Sequence, residues 1–312
     1  MEHRFCVVTL FCLLFLSPLV SCQLNYRFYD ATCPNLTRIV QSGVWSAIAN
    51  DSRIAASLLR LHFHDCFVNG CDASLLLDDT GSLNGEKNAP GNKNSVRGFE
   101  VIDTIKSTVE EACPSTSGGP YWPVPLGRRD STTASENAVI EQLPSPFEPL
   151  ENITAKFTAK GLDIKDLVVL SGAHTIGFAQ CFTFKTRLFN FGGSGKPDPT
   201  LDASLLQNLQ SLCPNQADSN TQLAPLDPVT STKFDNIYFK NLVNSSGLLQ
   251  SDQVLMGNNR TASMVLGYSK LPFLFYRDFG VSMVNMANIG VLTGSNGEIR
   301  KNCRVVNKKT IA

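Results

Sequence analysis

Arg60 and His64 stand four residues apart in Arg60-Leu61-His62-Phe63-His64-Asp65-Cys66-Phe67. The recurrence of Ile54, Leu58, Leu61 and Phe63 predicts a helix over 53–67, which brings this cation and this base onto one face. Such a pair inside an apolar run serves redox or acid/base chemistry, whereas the bland role of Arg60 is a helix-surface cation. On the same helix His62 and Phe63 point elsewhere. His62 and His64 could share a metal only on a strand, because residues two apart on a helix face different directions.

A second histidine, His174, lies in Ser171-Gly172-Ala173-His174-Thr175-Ile176-Gly177 at the end of an apolar stretch. Glycines there would let a flat ligand approach the backbone closely, and a packed core histidine is the other reading. Directly after His64, the stretch from Asp65 to Ser74 offers carboxylates at 65 and 72, a hydroxyl at 74 and carbonyls between. These are hard oxygen donors suited to Ca²⁺, held by a short Cys66 to Cys71 spacing, and an ordinary polar turn is the alternative. Asp227, Thr230 and Asp235 form a parallel set that could take in Thr175.

The elements that must position these groups read as helices. Asn35 can cap a run to 49, and Phe99, Ile102, Ile105 and Val109 mark another stripe. Asp163 opens 164–172, with further helical stretches at 150–160, 202–212, 234–243, 261–269 and 272–286. Sustained strand alternation is nearly absent, so the fold class is all-α with long loops and no repeats.

Composition narrows the setting. Residues 1–22 carry Arg4 and then an apolar stretch too short for a bilayer span of about 20 residues, and they read as a secretory signal peptide. Residues 23–312 then form one catalytic domain, and no second hydrophobic span follows. The formal charge of zero, with dispersed charges, excludes a nucleic-acid groove or polybasic membrane patch and leaves small molecules as partners. Sequons at Asn35, Asn152, Asn244 and Asn259 fit a glycosylated surface. Past residue 22 seven cysteines remain, an odd number for an oxidising compartment.

Together these motifs give a resemblance to the secretory plant haem peroxidases, the class III family. It is carried by Phe28-Tyr29-Asp30, Cys33-Pro34, the run 53–74, Pro125-Leu126-Gly127-Arg128-Arg129-Asp130, the run 170–177, Phe234-Asp235-Asn236 and the run 302–306. The resemblance implies two helical lobes with minimal β structure and haem b between them. It makes His174 the proximal iron ligand, with Asp252 accepting its other ring proton. His64 becomes the acid/base group for hydrogen peroxide, Arg60 its charge stabiliser and Asn92 the acceptor that keeps His64 basic, with Glu86 extending that network. Phe63 would lie near the haem, and Pro144 would belong to the site for aromatic donors, although a surface-loop proline is its other reading. Two Ca²⁺ ions are implied: one held by Asp65, Val68, Gly70, Asp72 and Ser74, the other by Thr175, Asp227, Thr230, Lys233 and Asp235. Val68, Gly70 and Lys233 would act through their carbonyls. Substrates would be hydrogen peroxide and small phenols, and the protein a monomer exported to the cell wall, since only 308–312 follow 302–307 and no long vacuolar-type extension is present.

One departure stands out. Between Ala112-Cys113-Pro114 and Gly118-Gly119-Pro120, family members carry a further cysteine and a long apolar helix, where this chain has only Ser115, Thr116 and Ser117. About 17 residues are missing, roughly 25 Å of helix. The family pairing would join Cys33 to Cys113, Cys66 to Cys71 and Cys181 to Cys213, leaving Cys303 unpaired, and Arg128 would lose a buried aspartate. Two expectations follow: an active peroxidase whose helices close over the gap, or a non-catalytic or unstable glycoprotein from a shortened transcript or gene model.

Overall fold

Twelve α-helices and one two-stranded ladder make up the regular structure among the described residues, 24–113 and 125–308, of a computed structural model. The expected signal peptide, the residues 114–118 around the expected gap and the tail beyond 308 lie outside them. The helical expectations hold closely, with α1 spanning Leu36–Asn50, α2 Ile54–Phe67 and α3 Phe99–Ala112, but Asn35 makes no side-chain capping hydrogen bond at the start of α1. After α4 (Glu136–Gln142) and α5 (Leu150–Ala159) comes α6 (Ile164–Ser171), whose start is a full capping box. There the Asp163 carboxylate accepts from Asp166 N, and the Asp166 carboxylate accepts from Asp163 N.

The chain continues through β1 (Phe178–Gln180), α7 (Lys185–Phe189), α8 (Ala203–Leu212) and β2 (Leu223–Pro225). Strands β1 and β2 pair antiparallel with Ala179 opposite Ala224. Four helices close the chain: α9 (Ile237–Val243), α10 (Gln250–Gln253), α11 (Asn259–Lys270) and α12 (Pro272–Ala287). Proline in the first turn of α12 suits its start, where the missing N–H has no intrahelical partner to lose.

Three apolar clusters form the core. The largest joins Phe67 of α2, Phe157 of α5, Val168 and Val169 of α6, Phe239 of α9 and Phe275 of α12. It therefore grips both histidine-bearing segments at once. A second cluster packs around the Cys181–Cys213 disulfide, and a third packs α1 on α3 around the Cys33–Cys113 disulfide. With the Cys66–Cys71 bridge, all three expected disulfides are formed, and Cys303 is free.

Candidate active site

Helix α2 places Arg60 and His64 on one face, as the spacing requires, and the Arg60 Nε donates to His64 Nε2 at 3.0 Å. The guanidinium is fixed from its other side by donation from Nη2 to Gly91 O and Ser95 Oγ, both at 3.1 Å. His64 is buried, and its Nδ1 lies 2.5 Å from Asn92 Oδ1. The Asn92 amide Nδ2 in turn donates to the Glu86 backbone carbonyl at 2.8 Å. These contacts assign the proton to Nδ1 and leave the Nε2 lone pair beside Arg60. Glu86 thus extends the network through its carbonyl, while its carboxylate faces Ser135 N. Phe63 packs edge-on to His64 and against Phe67, with ring centroids 5.6 and 4.5 Å away.

Burial, reinforced by the Arg60 charge, depresses the pKa of His64 to about 3, so the imidazole is a neutral base throughout the physiological range. Arg60 is exposed at its tip yet densely surrounded by protein, which lowers its pKa to about 10 and leaves it cationic at neutral pH. His62 points away from this pair, toward the sulfur of Cys66 at 3.7 Å, and burial with the nearby Arg128 charge depresses it to about 4. Both imidazoles stay neutral in the folded chain, whereas in the unfolded chain they protonate near the ordinary value of 6.5. Their contribution to stability is therefore complete above about pH 6.5 and is lost as pH falls through 4 and then 3, by about 1.4 kcal/mol per pH unit and group. Urea midpoints between pH 7 and 4 should fall with pH. A His64→Leu chain should show a shallower slope, and an unchanged slope would contradict the assignment.

His174 sits in the one-turn 3₁₀ segment Gly172–Thr175 that ends α6. Its Nδ1 lies 2.8 Å from Oδ1 of buried Asp252, the third residue of α10, 78 positions along the chain. The carboxylate fixes the proton on Nδ1 and turns Nε2 outward. The side chain is 37% exposed, so it is open to a ligand. The neighbouring glycines serve packing more than ligand approach. A Cβ at Gly172 would lie 2.6 Å from the Phe275 ring, and one at Gly177 2.9 Å from Ala56 of α2. The start of α2 is thereby held against the segment after His174, with Arg53 stacked 5.4 Å over Phe178. Gln180 Nε2 donating to Asn94 O at 3.1 Å ties the same segment to the Asn92 loop.

Asp65, Asp72 and Ser74 converge beside α2. Asp65 Oδ2 accepts from Ala73 N at 3.1 Å and Asp72 Oδ1 from Ser74 N at 3.0 Å, whereas Asp65 Oδ1 and Ser74 Oγ are buried with no hydrogen-bond partner. Burial and the adjacent Asp72 push the Asp65 carboxyl well above the usual carboxylate range, and burial raises Glu86 to about 7. Gly70, at φ +119°, makes the close turn here against Gly290. Val68 is fully buried.

In the second oxygen set, Thr175 Oγ1 donates to Asp235 Oδ1 at 3.3 Å, and Thr230 Oγ1 lies 3.1 Å from Asp227 Oδ2 and 3.2 Å from Asp235 Oδ1. Lys233 keeps its side chain exposed. Neither set gathers three carboxylate, imidazole or thiolate side chains among the described residues. The donors in both sets are carboxylate and hydroxyl oxygens. Pro144 is half-buried on the loop whose Pro146 carbonyl accepts from Ser251 N at 3.1 Å, next to Asp252.

Sequence reasoning missed Tyr238, whose hydroxyl donates to Asp252 Oδ1 at 3.0 Å. It also missed the buried Arg187, which pairs with Asp198 at 2.8 Å and donates to the carbonyls of Gly247, Leu248 and Leu249 just ahead of α10. Neither carries a local signal, since both act on a segment remote in sequence.

A family model described as peroxidase matches residues 40–270. Peroxidase 10 of Arabidopsis thaliana is 62% identical over 300 residues, covering 90% of this chain and 86% of the relative. Peroxidase N of Armoracia rusticana is 50% identical over 322 residues, covering 96% of each chain. Peroxidase 15 of Ipomoea batatas is 52% identical over 302 residues, covering 90% of this chain and 92% of the relative. Ninety per cent of 312 residues is about 281, so in the first of these alignments about 19 of the 300 positions have no residue in this chain.

Proposed function

The chain belongs to the peroxidase family, among its plant class III members, and from that premise we propose that it is a secreted haem peroxidase that reduces hydrogen peroxide while oxidising small phenols one electron at a time. The observation that carries this reading is the Arg60–His64–Asn92 relay: a neutral base oriented by an amide, with a fixed cation at its reactive nitrogen. Haem b fits the residues present. His174 offers an outward Nε2 made electron-rich by Asp252, the usual second partner of a metal-bound imidazole. When bound, the haem supplies the redox-active iron at which peroxide is cleaved. His64 Nε2 takes the first peroxide proton and returns it to the departing oxygen, and Arg60 balances the negative charge that develops there. Phe63 narrows the approach to His64, and the Pro144 loop provides an edge for aromatic donors.

The two oxygen sets fit Ca²⁺: Asp65, Asp72, Ser74 and the carbonyls of Val68 and Gly70 for one ion, Thr175, Asp227, Thr230, Asp235 and the Lys233 carbonyl for the other. The partnerless Asp65 Oδ1 and Ser74 Oγ supply the strongest support. Chelation with EGTA should lower the thermal midpoint, by the equivalent of about 3 kcal/mol if Ca²⁺ stood at 100 times its dissociation constant. In the cation-free chain, Asp65 and Glu86 hold their protons more tightly folded than unfolded, so stability is lost as pH rises through about 7. The loss on chelation should accordingly be larger at pH 8 than at pH 6, and an equal loss at both would count against the first site.

Residues 1–22 act as the signal peptide and 23–312 as one peroxidase domain exported to the cell wall as a monomer. Exposed Asn35, Asn152, Asn244 and Asn259 are available to glycans, and no helix among the described residues is long and apolar enough to cross a membrane. About 17 family residues are absent between Pro114 and Gly118, a reading supported by the alignment shortfall. An active enzyme is favoured over an inert product because Arg60, His64, His174 and Asp252 are all retained in working geometry. Expression as a secreted protein with haem and Ca²⁺ tests the proposal. A haem absorption band together with peroxide-dependent oxidation of guaiacol supports it, and a chain that takes up no haem overturns it.

A further inference from the structure

Asp252 serves two donors through one oxygen. Its Oδ1 lies 2.8 Å from His174 Nδ1 and 3.0 Å from the Tyr238 hydroxyl, while its Oδ2 accepts from Leu249 N at 3.2 Å. Tyr238 comes from α9 and Asp252 from α10, and each is 2% exposed. The Tyr238 ring stands edge-on to the His174 ring at 6.3 Å, and Ser171, three residues before His174, lies beside the same phenol. The phenol is therefore wedged between the carboxylate and the segment that carries the histidine.

A buried hydroxyl needs a partner, and the carboxylate provides one. Sharing one oxygen has a further consequence. Hydrogen bonds to a charged acceptor draw on its negative charge, and those drawn by two donors compete. Whatever charge the phenol takes from Asp252 Oδ1 is withheld from the Nδ1–H of His174. The outer partners of a metal-binding imidazole set its basicity.

We propose that Tyr238 is a positioning residue of the proximal site, which moderates the electron donation of His174 by sharing Asp252 Oδ1 with it. This rests on the haem reading above. Removing the phenol hydroxyl frees Oδ1 for His174 alone, strengthens the imidazole as a donor and favours the oxidised iron.

The test uses the haem-loaded full chain and two readouts besides turnover: the ferric/ferrous potential, and the iron–imidazole stretching frequency of the ferrous protein by resonance Raman spectroscopy. Tyr238→Phe should shift the potential to more negative values and raise the frequency. Asp252→Asn should shift both the other way, and adding Tyr238→Phe to Asp252→Asn should produce no further shift. Fluorotyrosine at 238 keeps the shape and strengthens the donor, so it should move both readouts opposite to phenylalanine, which keeps the test available if Tyr238→Phe does not fold. Haem bound with neither readout moved, or a Tyr238→Phe shift that persists in full without Asp252, overturns this inference alone. A wild-type chain without haem overturns it together with the haem reading.

Discussion

His64→Leu is expected to slow the reaction with hydrogen peroxide by about 10²–10⁴-fold, the range that positioned acid/base groups contribute, while haem stays bound. The leucine keeps the volume and loses the proton acceptor. His174 and Asp252, which would hold the iron, lie elsewhere in the chain and are untouched. Arg60 would remain cationic and fixed by Gly91 and Ser95, so the residual rate reports charge stabilisation without a base. Because burial and the Arg60 charge hold His64 near a pKa of about 3, the wild-type rate should be flat with pH from neutrality to about 4 and fall as pH approaches 3. Stopped-flow mixing with peroxide measures both. A His64→Leu rate within threefold of wild type, with the haem spectrum intact, would remove His64 from its assigned role.

The reach of the sequence differs between the two halves of this site. Arg60 and His64 are local: four residues apart on a helix with clear apolar periodicity, they must share a face, and they do. The helix cap at Asp163 is legible for the same reason, since a carboxylate just ahead of an apolar stripe can satisfy free N–H groups, whereas Asn35, read from the same local pattern, makes no capping bond because its backbone is not extended. His174 and Asp252 are a non-local pair, 78 residues apart. Asp252 lies on the four-residue α10, too short for any period, and only the family resemblance pointed to it. Tyr238 was invisible for a stronger reason: it reads as one more aromatic in an apolar helix, and its role arises from where α9 packs. The glycines about His174 show the reverse error. Their small size is needed, but chiefly by Phe275 and Ala56.

Inserting the helix proposed above to be absent should give the largest gain in stability. A helical segment of about 17 residues carrying one cysteine, placed between Pro114 and Gly118, would offer Cys303 a partner. Cys303 is half-buried and free, with burial pushing its thiol up, so it is a poor nucleophile. Arg128 is half-buried as well, and among the described residues it donates to the carbonyls of Pro125 and, at 2.8 Å, Ala287 rather than to a carboxylate. Burial alone lowers its pKa, and a carboxylate returned by the helix would raise it again. The new disulfide should add about 2–5 kcal/mol, read as a higher guanidinium midpoint. It should also abolish labelling of Cys303 by a thiol reagent under native conditions. An otherwise identical insert with serine in place of its cysteine separates the contributions, since it keeps the apolar helix but leaves Cys303 reactive. If Cys303 labels fully in both inserts, or the midpoint does not rise in either, the chain has closed over the gap in a way that leaves the family helix no seat.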